Sequence, residues 1–242
     1  MPGYSVSGSS FDNRLLAALP QEVRGRLCSA LDPVAFALGD VVYDTGARMA
    51  HIYFPTSCVV SLIYTMEDGA TAEMGLVGNE GAVGIALFMG GETTPNQAVA
   101  QVAGGALRMK AQALLEEFRR GGSFQLALLR YTQALITQIS QTAVCNRLHP
   151  VEKRLCRWLL LTHDRVPSDE LLMTQEFIAH MLGVRREGVT AAAHQLHKAR
   201  LIRYARGHIT ILDREGLEAV ACECYGVVKT ELDRLLRPGA AP

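Results

Sequence analysis

The chain changes its hydrophobic period near Lys110, and that single change narrows the folds open to it. From Pro33 to about Lys110, short apolar runs (Val34–Leu38, Val41–Tyr43, His51–Phe54, Val59–Tyr64, Thr71–Val77) are punctuated by Gly39, Gly46, Gly69, Gly78 and Gly81. Strands of this length with regularly spaced turn signals predict an antiparallel barrel or sandwich. Asp68-Gly69 is a hairpin turn, because glycine accepts a positive φ without steric cost. After Lys110 the spacing is helical. Ala111–Arg119 forms a short helix stopped by Gly121-Gly122, and Ser123 caps a segment that runs to about Asn146 without glycine or proline. Ahead of the strands, Leu15, Leu16, Leu19, Val23 and Leu27 recur at helical spacing, with Pro20 opening the second of two short helices. The fold class is therefore α+β.

Within the long segment, Phe124, Leu128, Tyr131, Leu135, Ile139 and Thr142 step by three or four residues and form one apolar seam. Such a seam either packs on the chain's own β-domain or meets a second copy. Its length favours the second reading, so a homodimer helix is expected. His149-Pro150 marks a boundary, since the residue before proline avoids the helical region. Beyond it, residues 151–164, 174–182, 185–199 and 214–236 read as helices. Residues 201–212 alternate and turn at Arg206-Gly207, which predicts a two-stranded hairpin. Three helices followed by a hairpin is the layout of a winged helix-turn-helix. The domains expected are 11–122, 123–148 and 149–242.

The stretch Met173–Thr190 carries the chemistry. Thr174 caps a helix whose inner positions are Phe177, Ile178, Met181 and Leu182, and Gly183 supplies the left-handed turn at its end. A second helix then begins with Arg185, Arg186, Glu187 and Thr190. In a helix-turn-helix that helix enters the major groove with its N-terminal residues leading. Arginine can make two hydrogen bonds to guanine, glutamate can accept from cytosine, and threonine can serve either way or touch a thymine methyl. The N-terminus of the first helix, at Thr174 and Gln175, offers free backbone N–H groups to a phosphate. His194, Lys198, Arg203, Arg206 and His208, on the second helix and the wing, are the further candidate phosphate contacts.

Net charge conceals this. Of 242 residues, 24 are basic and 24 acidic, giving a formal charge of zero, which taken alone argues against a nucleic-acid partner. Yet residues 1–148 carry −2 and residues 149–242 carry +2, and from Arg185 to His208 six Lys or Arg face one acid, Glu187, for +5. A neutral total with 49% hydrophobic and 20% charged residues excludes a disordered, charge-biased chain. No apolar run is long enough for a membrane helix. The opening MPGYSVSGSS reads as a disordered leader, not a signal peptide.

The six cysteines (Cys28, Cys58, Cys145, Cys156, Cys222, Cys224) lack a framework spacing and are expected to be reduced thiols of a cytoplasmic protein. Cys222 and Cys224 lie on the last helix, two residues and about 200° apart, which is poor chelating geometry. His51, His149 and His163 stand singly. No metal site is expected. No nucleophile elbow, phosphate loop or zinc-protease motif is present, so the chain does not read as an enzyme. A non-DNA-binding sensor or scaffold whose winged helix binds a protein is the alternative.

Residues 33–236 resemble the cyclic-AMP receptor protein / fumarate-nitrate regulator (Crp/Fnr) family of bacterial transcription factors. The resemblance rests on Leu38-Gly-Asp-Val-Val-Tyr-Asp-Thr-Gly46, the long helix, and Met173–Thr190 with its wing. It implies an N-terminal β-roll sensor of the cyclic-nucleotide-binding type, a dimerisation helix, a palindromic double-stranded DNA operator and RNA polymerase as a further partner. Arg186 and Glu187 match a base-contacting pair of the family's recognition helix, whereas Ala191 stands where a later arginine is common. Thr174 matches a phosphate contact. In the β-roll, Glu80 and Gly81 stand near the ribose position. Asn96-Gln97-Ala98 fall where cyclic-nucleotide binders carry Arg-Ser/Thr-Ala, so the phosphate arginine is missing. The oxygen-sensing members' clustered cysteines are missing too, Cys28 and Cys58 being too few. No cofactor is expected, and an effector, if one exists, is of another class.

Overall fold

A computed structural model describes residues 12–236, so the leader predicted at residues 1–10 lies outside the described residues. Among these, two short helices open the chain, α1 (Arg14–Ala17) and α2 (Gln21–Cys28). Strands β1 (Leu31–Phe36), β2 (Val41–Tyr43), β3 (His51–Pro55), β4 (Val59–Thr65), β5 (Thr71–Val77), β6 (Gln97–Val102) and β7 (Gly104–Lys110) follow. Next come α3 (Ala111–Arg119), α4 (Gly122–Leu148) and α5 (Val151–His163). The remainder is β8 (Glu170–Leu172), α6 (Gln175–Leu182), α7 (Arg186–Lys198), β9 (Ile202–Ala205), β10 (His208–Ile211), α8 (Arg214–Val220) and α9 (Glu223–Leu236). The expected period change at Lys110 is the boundary between β7 and α3.

The β-region forms two antiparallel sheets, ordered β1-β7-β3 and β2-β6-β4-β5. The predicted hairpin turn between β4 and β5 is present, with Gly69 at φ +83° and the Asp68 carboxylate accepting from the Ala70 amide at 2.9 Å. Pro20 stands at the N-cap position of α2 (φ −56°, ψ 147°) and so opens the helix as anticipated.

The chain divides into two compact units that cut across the expected domain boundaries. The first holds described residues up to Leu62, Val77–Ile136, and Glu231 onward. The second holds Ile63–Leu76 and Thr137–Thr230. The tip of the β4–β5 hairpin belongs with the second unit for a physical reason. Trp158 of α5 donates its indole N–H to Glu73 at 3.0 Å, and Gln138 of α4 donates to the Leu76 carbonyl at 2.9 Å. All of these groups are buried, so these polar contacts are held out of water.

In the second unit α5 is the hub. Residues 154–162 are buried without interruption, Trp158 among them. A helix buried on every side over nine consecutive residues, Arg154 and Arg157 included, lies at the centre of its domain. The predicted wing is larger than the sequence suggested. β8 adds a third strand, giving the order β8-β10-β9; three residues are too few to show an alternating pattern. The predicted last helix is two helices, because Ala221 is extended (φ −58°, ψ 157°) and breaks the run ahead of α9.

The long helix corrects the predicted dimer seam. Phe124, Leu128, Tyr131, Leu135 and Thr142 are buried within the single chain, between 0% and 5% exposed, and Ile139 is half-buried. Tyr131 lies so close to Gly81 that a Cβ there would come within 2.2 Å of its ring. The seam is thus the face that covers the chain's own core. The large apolar residues of the helix left in solvent are Leu126, Leu129, Ile136 and Val144, on a different face, and Leu148 at its C-terminal end, 40–70% exposed.

Gly104 opens β7 where the Thr56–Cys58 turn crosses it; the amides of Thr56, Ser57 and Cys58 all point at the Gly105 carbonyl, at 2.9–3.2 Å. A Cβ at Gly104 would stand 2.5 Å from the Cys58 backbone nitrogen. Gly104→Ala is expected to cost about 1–3 kcal/mol, read as a lowered urea midpoint at unchanged slope.

Candidate nucleic-acid interface

The interface is built by local chemistry at the α6–α7 turn. Thr174 caps α6, its hydroxyl accepting from the Phe177 amide at 3.1 Å. Gly183 ends α6 in the left-handed conformation (φ 60°, ψ 44°), and the Val184 amide bonds back to the Ala179 carbonyl at 3.0 Å. Arg154 of α5, 8% exposed, donates its guanidinium to the Leu182 carbonyl, placing a cation at the negative end of α6. The turn is therefore fixed from within by a glycine conformation and from beneath by a buried charge.

That geometry aims α7. Val189, Ala192, Ala193 and Leu196 face inward at 0–5% exposure, while Arg185, Arg186, Glu187, Thr190, Ala191, His194 and Lys198 are exposed. Arg185 is the N-cap residue of α7 and supplies no side-chain cap. All four predicted base-reading residues thus lie at the leading end of one helix, on its solvent side. Thr190 is more restricted than its residue type implies. Its hydroxyl is directed at the Gln175 side-chain oxygen, 2.7 Å away, and at the Arg186 carbonyl, 3.0 Å away. One hydroxyl proton serves both, which leaves lone pairs and a methyl for a base edge. Gln175 in turn keeps its amide N–H groups as donors.

The wing tip is drawn to the start of α6. Arg206 and Gly207 both adopt positive φ (51° and 82°), as a two-residue hairpin turn requires, and the Met173 amide donates to the Gly207 carbonyl at 2.7 Å. Thr174 and Arg206, from different segments, are thereby neighbours at one edge. Arg203 reaches across the hairpin to Thr210 at 3.4 Å. His208 is held by Glu170 at 2.8 Å, a partner on β8 that no local pattern in the sequence signals. Any phosphate must compete with that carboxylate for the ring.

In the first unit the residues expected to form an effector pocket spend their contacts on different neighbours. Glu80, 4% exposed, accepts from the Gly78 amide at 3.2–3.3 Å, and Gly81 abuts Tyr131. Asn96, 8% exposed, accepts from Thr94 and donates to the Tyr43 hydroxyl at 2.8 Å, while Gln97 donates to Asp44 at 2.9 Å. A cavity of about 360 Å³ lies elsewhere in this unit, lined by Arg48, Glu92, Gln112, Glu116 and Arg119 among others. Phe88 is buried and stacks on Phe118 with ring centres 5.1 Å apart.

Two family models match the chain: a cyclic nucleotide-binding domain over residues 33–120 and a Crp-like helix-turn-helix domain over residues 153–220. Solved structures share the fold. FixK2 from Bradyrhizobium japonicum is 15% identical with a TM-score of 0.68, covering 79% of this chain and 98% of that one. A CRP-family transcriptional regulator from Thermus thermophilus, TTHB099, is 18% identical with a TM-score of 0.66, covering 78% and 96%. The c-di-GMP-responsive global regulator CLP from Xanthomonas campestris is 16% identical with a TM-score of 0.63, covering 79% and 99%. No curated protein sequence matches the chain. Fold and interface together define a DNA-binding transcription regulator with an N-terminal domain of the effector-binding type. The two matched domains take in well over half of the sequence, and the chain belongs to the Crp/Fnr family. Among the described residues no helix is long and apolar enough to cross a membrane.

Lys198 is exposed in the last turn of α7. Lys198→Ala is expected to weaken binding about equally across DNA sequences and to reduce the magnitude of the log–log salt slope by about one, measured by anisotropy titrations at several salt concentrations.

Proposed function

We propose that the chain acts as a homodimer on a palindromic operator. Arg185, Arg186, Glu187 and Thr190 read base edges, and Thr174, Gln175, His194, Lys198, Arg203, Arg206 and His208 meet phosphates. The observation that carries this reading is the division of α7 into a buried apolar face and an exposed leading end bearing those four residues. Dimerisation uses the outward stripe Leu126, Leu129, Ile136 and Val144 of α4, whose spacing of three to eight residues keeps one side of a helix. Ala191 in place of an arginine shifts base preference away from operators read by a longer side chain at that step.

The N-terminal domain takes an effector other than a cyclic nucleotide held through arginine. At the position where that arginine would neutralise a phosphate stands Asn96, its amide already committed to Tyr43. The protein is a regulator and not an enzyme, works in the cytoplasm, and meets RNA polymerase at its promoters. Signals reach DNA as a change in the packing of the paired α4 helices, which sets the spacing of two recognition helices.

Selection from random duplexes is the decisive experiment. It is expected to enrich an inverted repeat with half-site centres about one helical turn apart; enrichment of no palindrome overturns the proposal. Glu187→Ala should cost about 1–3 kcal/mol on the selected site and relax preference at one base step of each half-site. Ile136→Glu should convert the dimer to a monomer in sedimentation analysis with its circular dichroism unchanged. The same substitution leaving the dimer intact would show that α4 is not the interface.

A further inference from the structure

Four side chains that the DNA-binding reading leaves unused converge in the second unit. Cys145 lies near the end of α4, and His149, the residue after its last, donates its amide to the Cys145 carbonyl at 3.0 Å, which keeps the two one turn apart. Cys222 sits in the break between α8 and α9, and Cys224 is in the first turn of α9. Chelation looked unfavourable only while Cys222 and Cys224 were placed on one continuous helix. Ala221 is extended and Cys222 precedes α9, so the 200° separation of a regular helix does not hold there. The three sulfurs and one imidazole nitrogen all lie within 4.8 Å of one another. Cys145 Sγ and Cys222 Sγ are 3.5 Å apart, and Cys224 Sγ and His149 Nδ1 are 3.7 Å apart.

We infer that Cys145, His149, Cys222 and Cys224 bind a single zinc ion. A tetrahedron with zinc–sulfur bonds of about 2.3 Å has edges of about 3.8 Å, close to both separations. A Cys145–Cys222 disulfide would account for two of these groups and leave unexplained why a third thiol and an imidazole point at the same place. The atoms also lie too close together to straddle a cluster of several irons and sulfides. Three thiolates and a neutral histidine are a donor set that structural zinc takes, with no position left for water or substrate.

The surroundings fit the ion. The cysteines are 0–4% exposed, so solvent does not compete for the metal. His149 turns Nδ1 toward the thiols and presents Nε2 to Glu223, 3.5 Å away, the carboxylate–histidine arrangement that orients a metal-bound imidazole. A zinc with three thiolates carries a charge of −1. The Arg157 guanidinium, 3% exposed, acts electrostatically on Cys145 and Cys224, and its Nε has no hydrogen-bond partner among the described residues. A buried cation beside a buried anion is the pairing that burial demands. The ion closes a link between the end of α4 and the α8–α9 junction, segments more than seventy residues apart in sequence.

The test uses the full-length chain, purified without chelator from zinc-replete cells. Elemental analysis is expected to find one zinc per chain, released in step with thiol titration by a mercurial reagent. Cobalt(II) added to the metal-stripped protein should give thiolate-to-cobalt charge-transfer bands and tetrahedral d–d bands that zinc abolishes. Cys222→Ser should lose stoichiometric zinc, Cys28→Ser should keep it, and Glu223→Gln should weaken zinc affinity about ten-fold or more. Wild-type protein that holds no zinc and gives no thiolate–cobalt spectrum overturns the inference, whether its six thiols are all free or its mass shows a Cys145–Cys222 disulfide. The wild-type measurements decide the matter even if a cysteine variant fails to fold.

Discussion

A buried guanidinium beneath a helix end holds the DNA-reading half in place. Arg154 donates to the Leu182 carbonyl at the C-terminus of α6, one residue before the left-handed Gly183. Burial disfavours the charged form and pulls its pKa below the usual arginine value, and the helix-end carbonyl compensates by supplying a dipole aimed at the charge. Removing either partner would leave a buried polar group unpaired. The direction of α7, and with it the presentation of Arg185, Arg186 and Glu187, depends on that contact as much as on any residue of α7 itself.

Around this point α5 acts as the axis of the unit. Its neighbours meet it through polar contacts as well as apolar ones: Thr142 accepts from Arg157, and Glu73 accepts from Trp158. Such contacts carry direction, which apolar packing does not. The wing is attached in the same manner, by a backbone bond from Met173 to Gly207 that brings two candidate phosphate contacts to one edge. A zero net charge coexists with this interface because the +5 between Arg185 and His208 lies on one short stretch whose surface residues face outward. What DNA meets is the local field, screened within about ten ångströms, and not the sum over the chain.

Several features were legible in the residues alone. The β-region, the helices α3, α5, α6 and α7, the positive φ of Gly183 and the hairpin at Arg206-Gly207 follow from period and turn chemistry, which are local. The dimer seam was misread because periodicity identifies an apolar face without saying what covers it. Phe124, Leu128 and Tyr131 are buried by their own chain, while the less regular stripe through Leu129 and Ile136 stays in solvent. Strand β8 escaped because three residues hold no pattern until β10 pairs with them. The α8–α9 break escaped because Ala221-Cys222 contains neither glycine nor proline. With the break hidden, the convergence of Cys222 and Cys224 on Cys145 and His149 was hidden too, although the four-residue spacing of Cys145 and His149 is visible in the sequence.

The sequence by itself determined the kind of machine this is: a β-domain, a long helix, and a helix-turn-helix whose second helix starts with Arg-Arg-Glu. These depend on interactions between residues a few positions apart. Only the tertiary structure decided which face of α4 is free, how Thr190 spends its hydroxyl proton, and which four of thirteen cysteines and histidines share one point in space. Those outcomes are set by contacts between segments far apart in the chain, where a single extended residue such as Ala221 redirects everything that follows it.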